Sequence, residues 1–494
     1  MKKIVLVCSF LALIDLANAQ DYTDAVRYTE RFNIGDARYS AMGGAFSALG
    51  SNHSAILDNP ASIGVFRGQS YEVSLNSGSN LSKTDFLGQV QSNRMNSFNG
   101  NVGLLYNIEL PENELHAQYL NFSYTCNRVS DFAMKNSFNV YNNASSMTDE
   151  LLGRIEGGFE NYVTDDAKNT QLIYQDDAKR YISDFIKYNA SGAKQYGPYG
   201  LNQIQNLTTS GRINENSYGI GTSFDNKVYL GLSLNVSNLD YTYSENYTES
   251  DTKNINPSFD SFTMYKDLNE TGRGYGYKIG VIALPVKDLR IAMSYHSPTY
   301  WNIKSSYKTD MDLYYTQVDS NIPRSAFTYN DWVGSKYQLY SPSKLILGAA
   351  YTFKKTLIVS ADYEFQKYSN ALLTSNDPNI PDFNYENTEI TKMARIINNL
   401  KFGTELRLGV LSLRAGAAFY QSPYSYYNAG FKDYRVSYSG GIGMKDENFY
   451  IDLAVVNSTS PSYRYIYTDH NGITQYSNTK SAMTNVVLTL GLKY

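Results

Sequence analysis

The sequence predicts an all-β protein, a 14-stranded antiparallel transmembrane β-barrel with an N-terminal plug and a helical extracellular insertion. Three observations lead to this fold class. Many segments alternate apolar and polar side chains with a period of two, as half-buried strands do. Short and long connections between these segments follow one another in strict alternation. The chain also begins with a secretory signal pattern, and no later stretch has the ~18 apolar residues of a membrane helix.

The alternation is clearest in the last strand, residues 484–494, which read TNVVLTLGLKY. Val486, Leu488 and Leu490 fall on one face, and Asn485 and Thr489 fall on the other. The segments around residues 289–298, 356–368 and 399–409 show the same pattern. Each therefore has one apolar face, which a barrel turns towards lipid and a soluble β-sandwich turns towards its core.

The connections distinguish these two folds. Short ones near residues 225–227, 285–288, 354–355 and 409–410 alternate with long polar ones near 249–273, 306–341, 369–396 and 421–433. Bacterial outer-membrane barrels have short periplasmic turns and long outward loops, so short and long connections alternate along the chain. A secreted β-sandwich does not require this alternation. Counting back from the C-terminus gives fourteen strands, the first near residues 69–77.

Residues 1–19 have the features of a secretory signal peptide. Lys2 and Lys3 form a basic start, an apolar stretch follows, and Ala17-Asn18-Ala19 fits a cleavage site near Ala19. Cys126 is then the only cysteine of the mature chain, so no disulfide framework stabilises it. We expect a bacterial outer-membrane protein that contacts outer-membrane lipid and depends on the barrel-assembly machinery for insertion.

The composition agrees with a membrane barrel. The net charge of −4 provides no basic surface for nucleic acid, so we expect no nucleic-acid partner. The 46 tyrosines combine an apolar ring with a polar hydroxyl, which suits the boundary between lipid and water.

A fourteen-strand barrel is too wide for wall side chains to fill, so its lumen either leaks or holds a plug. Residues 20–67 precede the first strand, are rich in Gly and Ala, and show no long period-two run. Small residues allow a backbone to run close to a barrel wall. Four glycines on the predicted lumen face are expected to relieve crowding where the sheet curves: Gly231, Gly403, Gly441 and Gly443.

This N-terminal segment resembles the hatch of the outer-membrane long-chain fatty acid and aromatic-hydrocarbon (FadL-like) transporter family. The matching text is AMGGAF at residues 41–46, ALG at 48–50 and Asn59-Pro60-Ala61. The resemblance implies a hatch over residues 20–67 at the periplasmic end of a barrel formed by residues 68–494. It also implies hydrophobic small molecules as ligands and their sideways release at a kink in the third strand. The hatch or gating residues are then Gly43, Gly44, Asn59, Pro60 and Ala61.

The third strand offers a place for such a kink. It starts at His116 and alternates up to Cys126, with Leu120, Phe122 and Tyr124 towards lipid. A polar break follows at Asn127, Arg128, Val129, Ser130 and Asp131, after which alternation resumes. The whole is longer than the ~9–11 residues that span a bilayer, so the break is either a bulge or kink, or the end of the strand.

Residues 142–214 form an extracellular insertion in which apolar residues recur at helical spacing. One predicted helix carries Leu151, Leu152 and Ile155, and a second carries residues 178–186. The pair serves either as a capture site or lid over the barrel mouth, or as two helices that only bury their apolar faces against each other.

No catalytic, metal or cofactor site is predicted. The four histidines are scattered, and Ser294 and His296 share one strand face without a third group to orient them. His53 and His470 are weak candidates for a haem ligand. Several lumen charges are expected to pair across the barrel or to hold the hatch: Lys278, Arg290, Asp362, Glu364, Lys401, Glu405, Arg407, Arg414 and Arg435.

The function expected from the sequence is uptake of hydrophobic small molecules, such as long-chain fatty acids, across the outer membrane. Binding in the lumen would precede hatch-gated lateral release. The alternatives are a non-transporting barrel that serves as a binding or scaffold protein for a secretion system, and haem binding.

Overall fold

The computed structural model describes residues 22–32, 34–111, 116–315, 325–376, 382–424 and 434–494; the predicted signal peptide lies outside them. The helices are α1 (Tyr22–Arg27), α2 (Ala37–Ala41), α3 (Met147–Gly157), α4 (Tyr162–Asn169) and α5 (Asn384–Met393). Short 3₁₀ turns occupy Ser54–Leu57, Pro60–Val65 and Tyr368–Asn370. The strands are β1 (Ser70–Phe86), β2 (Gln89–Glu109), β3 (Ala117–Asp131), β4 (Met134–Asn142), β5 (Tyr174–Gln175), β6 (Tyr181–Ile182), β7 (Ile186–Tyr188), β8 (Lys194–Tyr196), β9 (Leu201–Phe224), β10 (Val228–Ser250), β11 (Phe259–Val286), β12 (Leu289–His296), β13 (Tyr300–Tyr315), β14 (Ser325–Tyr329), β15 (Val333–Tyr340), β16 (Lys344–Phe353), β17 (Leu357–Lys367), β18 (Leu372–Thr374), β19 (Ile396–Leu408), β20 (Leu411–Gln421), β21 (Tyr434–Lys445), β22 (Phe449–Thr468) and β23 (Thr474–Lys493).

The predicted fold class is confirmed, because nineteen of these strands form one closed antiparallel barrel, while β5–β8 form two separate hairpins. The pairs β3–β4, β12–β13 and β17–β18 and the trio β14, β15 and β16 each act as one interrupted wall strand, which gives fourteen wall strands. Closure comes from β1 and β23, which pair from Ser70 with Lys493 to Asp85 with Asn478. Joining the first and last strands removes the two outer edges of the sheet, so their backbone groups are paired, as a membrane-crossing sheet requires.

The two faces of the wall have the polarity of a membrane barrel. On β1, Val73 is 51% exposed and Leu75 is 47% exposed, while Ser74 and Asn76 between them are each 1% exposed. The same arrangement, with apolar side chains outside and polar ones inside, continues round the barrel. The outward apolar side chains include Leu104, Leu232, Ile279, Met293, Leu347, Val359, Phe402, Leu413, Leu453 and Leu488. An outer surface this apolar is stable against lipid and excludes the soluble sandwich.

The wall is taller than a bilayer requires. β11 alone has 28 residues, against the ~9–11 that a tilted strand needs to span. Much of the predicted loops at 249–273 and 306–341 is therefore strand, and these two predictions were wrong. Outside the membrane both faces of a strand can be polar, so period-two alternation disappears although the hydrogen-bonded ladder continues.

Short turns at residues 225–227, 354–356, 409–410 and 446–448 mark one end of the barrel, the turn end. The opposite, loop end carries a cap formed by residues 143–200. In the cap α3 and α4 bury Leu151, Leu152 and Val163 against aromatic side chains at the strand tops, among them Phe138 and Phe262. No helix among the described residues has the length and apolar character needed to cross a membrane.

The second predicted cap helix, at residues 178–186, is wrong. The chain there forms two short hairpins, β5–β6 and β7–β8. Lys179 has a positive φ of 59°, which a right-handed helix does not accept. Phe185 and Ile186 are nevertheless buried in the core of the cap. They are apolar because of this burial, and they do not belong to a helix. Residues 201–214 of the predicted insertion belong to the wall strand β9.

Candidate functional site

The N-terminal segment, here called the hatch (described residues 22–32 and 34–67), lies inside the lumen. The sequence-predicted turn Asn59-Pro60-Ala61 is one of its docking points. The Asn59 side chain accepts a hydrogen bond from the Ala61 backbone N–H at 2.9 Å and so caps the 3₁₀ turn Pro60–Val65. Its amide donates to the Ser47 carbonyl at 2.8 Å and to the Val281 carbonyl of β11 at 3.3 Å. One side chain thus shapes the turn and binds the wall.

Glycines of the wall make room for the hatch backbone. A Cβ added at Gly280 would overlap the Asn59 side chain, and one added at Gly231 would lie 2.5 Å from the Ala61 nitrogen. At Gly416 it would overlap the backbone of Gly43. Gly43 and Gly44 have φ of 64° and 74°, a conformation that favours glycine.

The lumenal glycines therefore have a different main role from the one predicted. Gly231, Gly403 and Gly441 face hatch atoms, the latter two at Met42 and Ala41, so they permit docking and not only curvature. Gly443 faces the wall side chains Arg414 and Asp452 and makes space for that ion pair.

Ion pairs connect the hatch with the wall. Arg31 pairs with Glu215, which also binds Lys278. Asp58 pairs with Lys401 at 3.2 Å, with both side chains at most 4% exposed. Other predicted lumen charges also bind the hatch: Arg38 pairs with Glu405 at 2.7 Å, the Asp362 carboxylate accepts from the Phe46 and Ser47 backbones, and Arg290 donates to the Leu49 carbonyl.

The predicted break at Asn127–Asp131 lies where the barrel wall opens. β3 pairs with β2 only from Tyr119 to Cys126. On its other side Arg128 pairs with Asn214 and Ser130 with Ile213, which leaves Val129 as the extra residue of a bulge. Within the described chain, no strand pairs with this edge of β2 over residues 89–101.

Beyond the bulge, β4 moves inward. It stays paired with β9 but lies on the lumen side of the β1–β2 hairpin, where Asn80 donates to the Ala133 carbonyl at 3.1 Å and Ser82 to that of Lys135. The result is a gap in the wall between β2 and β3. Phe98 and Val102, the outward residues of β2 there, are exposed like the lipid-facing residues below them.

The hatch binds the edge of this gap directly. The Phe32 backbone N–H donates to the Val129 carbonyl at 3.0 Å, and the Ser130 hydroxyl donates to the Glu30 carbonyl at 2.8 Å. Across the gap, the Asn101 amide of β2 donates to the Ile34 carbonyl at 3.0 Å. Burial raises the pKa of Glu30 to about 7 against the opposing effect of Arg435. Sequence reasoning named the hatch and the break separately and missed these contacts, since nothing local signals a pairing of residues ~100 positions apart.

An apolar cluster lies in the lumen next to the bulge. Its wall members include Val129, Ile213, Leu239, Tyr241, Trp301, Ile303, Tyr337 and Leu339, and α1 covers them with Ala25, Val26 and Tyr28. Glu270 accepts hydrogen bonds from the hydroxyls of Tyr28 and Tyr337 within it. Burial, together with this carboxylate, raises the pKa of Tyr28 well above its ordinary value. Sequence patterning could not predict this cluster, because Trp301 and Ile303 continue the odd-numbered apolar period of Ile291 and Met293 on the lipid face of β12 and yet face the lumen.

The chain shares its barrel fold with solved structures of other bacterial proteins. TodX of Pseudomonas putida, described as a toluene transporter, superposes with a TM-score of 0.53 at 12% identity, over 94% of this chain and 99% of that one. A FadL homologue of Pseudomonas aeruginosa gives 0.54 at 12% identity, over 94% and 99%. At this identity the likeness shows a shared fold. No protein-family model and no curated protein matches the sequence.

The histidines considered as haem ligands or catalytic groups all have other contacts in the structure. His53 packs in the hatch, where its Nε2 contacts the Ser70 hydroxyl at 3.0 Å and burial lowers its pKa to about 3. His470 stacks on Tyr196 in the cap and contacts Asp149 at 3.1 Å. Ser294 and His296 each contact a backbone carbonyl and not each other. Among the described residues no group of His, Cys, Asp and Glu has the geometry to hold a metal ion.

Proposed function

We propose that this protein is an outer-membrane channel for the uptake of hydrophobic small molecules, with monoaromatic hydrocarbons and long-chain fatty acids as the two candidate classes. A ligand binds at the lumenal apolar cluster in place of α1 and leaves sideways through the gap between β2 and β3. The observation that carries this proposal is the set of three hydrogen bonds by which Glu30, Phe32 and Ile34 of the hatch hold the edges of that gap.

The polarity of the lumen favours a lateral route. Below the apolar cluster an apolar ligand would meet Glu215 with its two cations and the Asp58–Lys401 pair, all buried. Separating a buried ion pair costs about 3–5 kcal/mol, and an apolar ligand offers the freed charges no replacement partner. On the lateral route, each CH₂ group of the ligand passes from the apolar cluster into the apolar lipid. It therefore keeps most of its ~0.8 kcal/mol of transfer free energy from water.

The barrier to lateral opening is moderate. A neutral hydrogen bond contributes about 0.5–1.5 kcal/mol, so breaking the three hatch bonds costs about 3 kcal/mol. The wall adds two direct bonds across the gap, from the Arg128 backbone N–H to the Asn101 side-chain oxygen at 3.1 Å and from the Arg128 guanidinium to the Phe98 carbonyl at 3.4 Å. At ~1.4 kcal/mol per tenfold change, the gap would be open well below ~1% of the time without ligand. A ligand that displaces α1 would shift this population, because the hatch segment at the gap continues directly from α1.

Localisation and assembly belong to the same proposal. A signal peptide over residues 1–19, cleaved near Ala19, would direct the chain through the inner membrane. The barrel-assembly machinery would then insert it, and outer-membrane lipid would surround the apolar belt.

Cys126 provides a direct test, since it is the free cysteine of the described chain and lies where pairing with β2 ends. Cells are treated with the lipid-soluble reagent N-pyrenylmaleimide, and uptake of labelled toluene and labelled oleate is measured. We expect alkylated protein to lose uptake of at least one of them, while a Cys126→Ser variant keeps uptake after the same treatment. Full uptake by alkylated protein would refute lateral release.

The scaffold alternative is tested in the same cells. If cells with and without the protein take up both probes at equal rates, the barrel does not transport these classes, and a scaffold or haem-binding role gains support. The two probes also assign the substrate class, because a channel for monoaromatic hydrocarbons is expected to discriminate against oleate.

A further inference from the structure

A cavity lies at the turn end of the lumen, on the far side of the hatch from the apolar cluster. Its volume is about 280 Å³. Arg38, Ser51, Asn52 and His53 of the hatch form one side. The other side is formed by wall residues at the ends of several strands: Glu72, Glu405, Arg407, Ser412, Arg414, Lys445, Tyr450, Asp452 and Lys493. The volume is at the lower end of the range for small-molecule sites.

Positive charge predominates in this cavity, since five cationic side chains and three carboxylates line it. Three arginines share one carboxylate: Arg38 and Arg414 reach Glu405 at 2.7 Å and Arg407 reaches it at 2.8 Å. In the part of the chain that the structure describes, the ion pairs at this cavity all involve arginine, and Lys445 and Lys493 contribute to none.

The His53 ring closes part of the hatch side of this cavity and packs against Gly103 of β2. His53 is 2% exposed, and its Nδ1 has no hydrogen-bond partner among the described residues. The ring is neutral, because burial and the neighbouring Lys493 lower its pKa to about 3. The ring therefore adds no positive charge to the cavity, and the arginines and lysines supply all of it.

We propose that this cavity binds a small dissolved anion that carries two or more carboxylate or phosphate groups. Planar guanidinium groups bind both groups in a bidentate manner, and the spare N–H groups of the arginines and the two lysines supply the donors. Charged and polar side chains form most of the cavity lining, so a dissolved anion fits it better than the acyl chains of a lipid.

Such an anion would bridge the hatch and the wall, because Arg38 lies on α2 while Arg407 and Arg414 lie on β19 and β20. Binding would thus stabilise the docked hatch by mass action. This inference concerns the face of the hatch opposite the uptake route and stands whether or not the barrel transports hydrophobic ligands.

The test is calorimetric titration of the full chain in detergent micelles with inorganic pyrophosphate and with citrate, at about 0.15 M salt to screen weak surface contacts. We expect saturable binding of at least one probe, weakened roughly tenfold by Arg407→Gln and by Lys445→Gln. Lys287→Gln removes the same charge from an exposed turn at the same end and should leave binding unchanged.

Absence of saturable binding by both probes, or equal binding by all variants, would overturn the proposal. If only one probe binds, that result assigns the ligand to phosphates or to carboxylates. A second measurement does not depend on substitutions: amide hydrogen exchange in α2 should slow on addition of the bound probe, since an anion that bridges Arg38 and the wall stabilises the docked hatch.

Discussion

Replacement of Gly280 by alanine should unseat the hatch, because Gly280 faces Asn59 at a docking point on β11. An added Cβ would overlap the Asn59 Oδ1 and lie 3.0 Å from its Cγ and 3.1 Å from the Pro60 Cδ. Asn59 has to move, which breaks its bonds to Ala61, Ser47 and Val281. Three such bonds at about 0.5–1.5 kcal/mol each give a cost of about 3 kcal/mol, similar to measured overpacking penalties.

A cost of about 3 kcal/mol lowers the ratio of docked to undocked hatch roughly 100-fold. The assay is single-channel conductance of the purified protein in planar bilayers, because an undocked hatch admits ions into the lumen. Wild type should be nearly silent, and Gly280→Ala should show frequent openings. Gly440→Ala is the matched control, since its Cβ would meet only the Arg414 carbonyl at 3.7 Å, an ordinary contact. Equal conductance in all three proteins would refute the docking role of Asn59.

Three further predictions test other parts of the molecule. Burial raises the pKa of Glu30 from 4.5 to about 7, so its stabilisation of the docked segment is complete below pH ~4.5 and lost as pH rises through ~7. Uptake should therefore be faster at pH ~8 than at pH ~5.5, and Glu30→Gln should remove the dependence. Leu151→Ala in the cap should cost about 2–5 kcal/mol, detected as faster proteolysis within residues 143–200. Leu232→Arg on the lipid face should destabilise the barrel by about 2–4 kcal/mol in urea unfolding from vesicles, while Leu87→Arg in a loop-end turn should not.

The sequence predicted the membrane part of the barrel well, because lipid outside and a polar lumen inside impose period two on every strand. The break at Asn127–Asp131 was visible for the same reason, as an interruption of that period. Above the membrane the constraint disappears, so the upper parts of β11 and β13 looked like loops. The contact of Phe32 with Val129 could not be predicted, because it depends on how the hatch folds within a closed wall and leaves no local pattern.

The contacts of Arg31 limit how the hatch can move. The neighbouring residues Glu30 and Phe32 bind β3 at its bulge by neutral backbone hydrogen bonds. The Arg31 guanidinium itself pairs with buried Glu215. Breaking that pair would cost about 3–5 kcal/mol, but the long arginine side chain allows the backbone to shift while the guanidinium stays in place. Opening at the gap therefore need not disturb the lower hatch, where Asn59 and the Asp58–Lys401 pair remain docked. An apolar ligand can leave sideways through such a gap while ions are still excluded, so Ser130→Ala should accelerate apolar uptake without the conductance expected of Gly280→Ala.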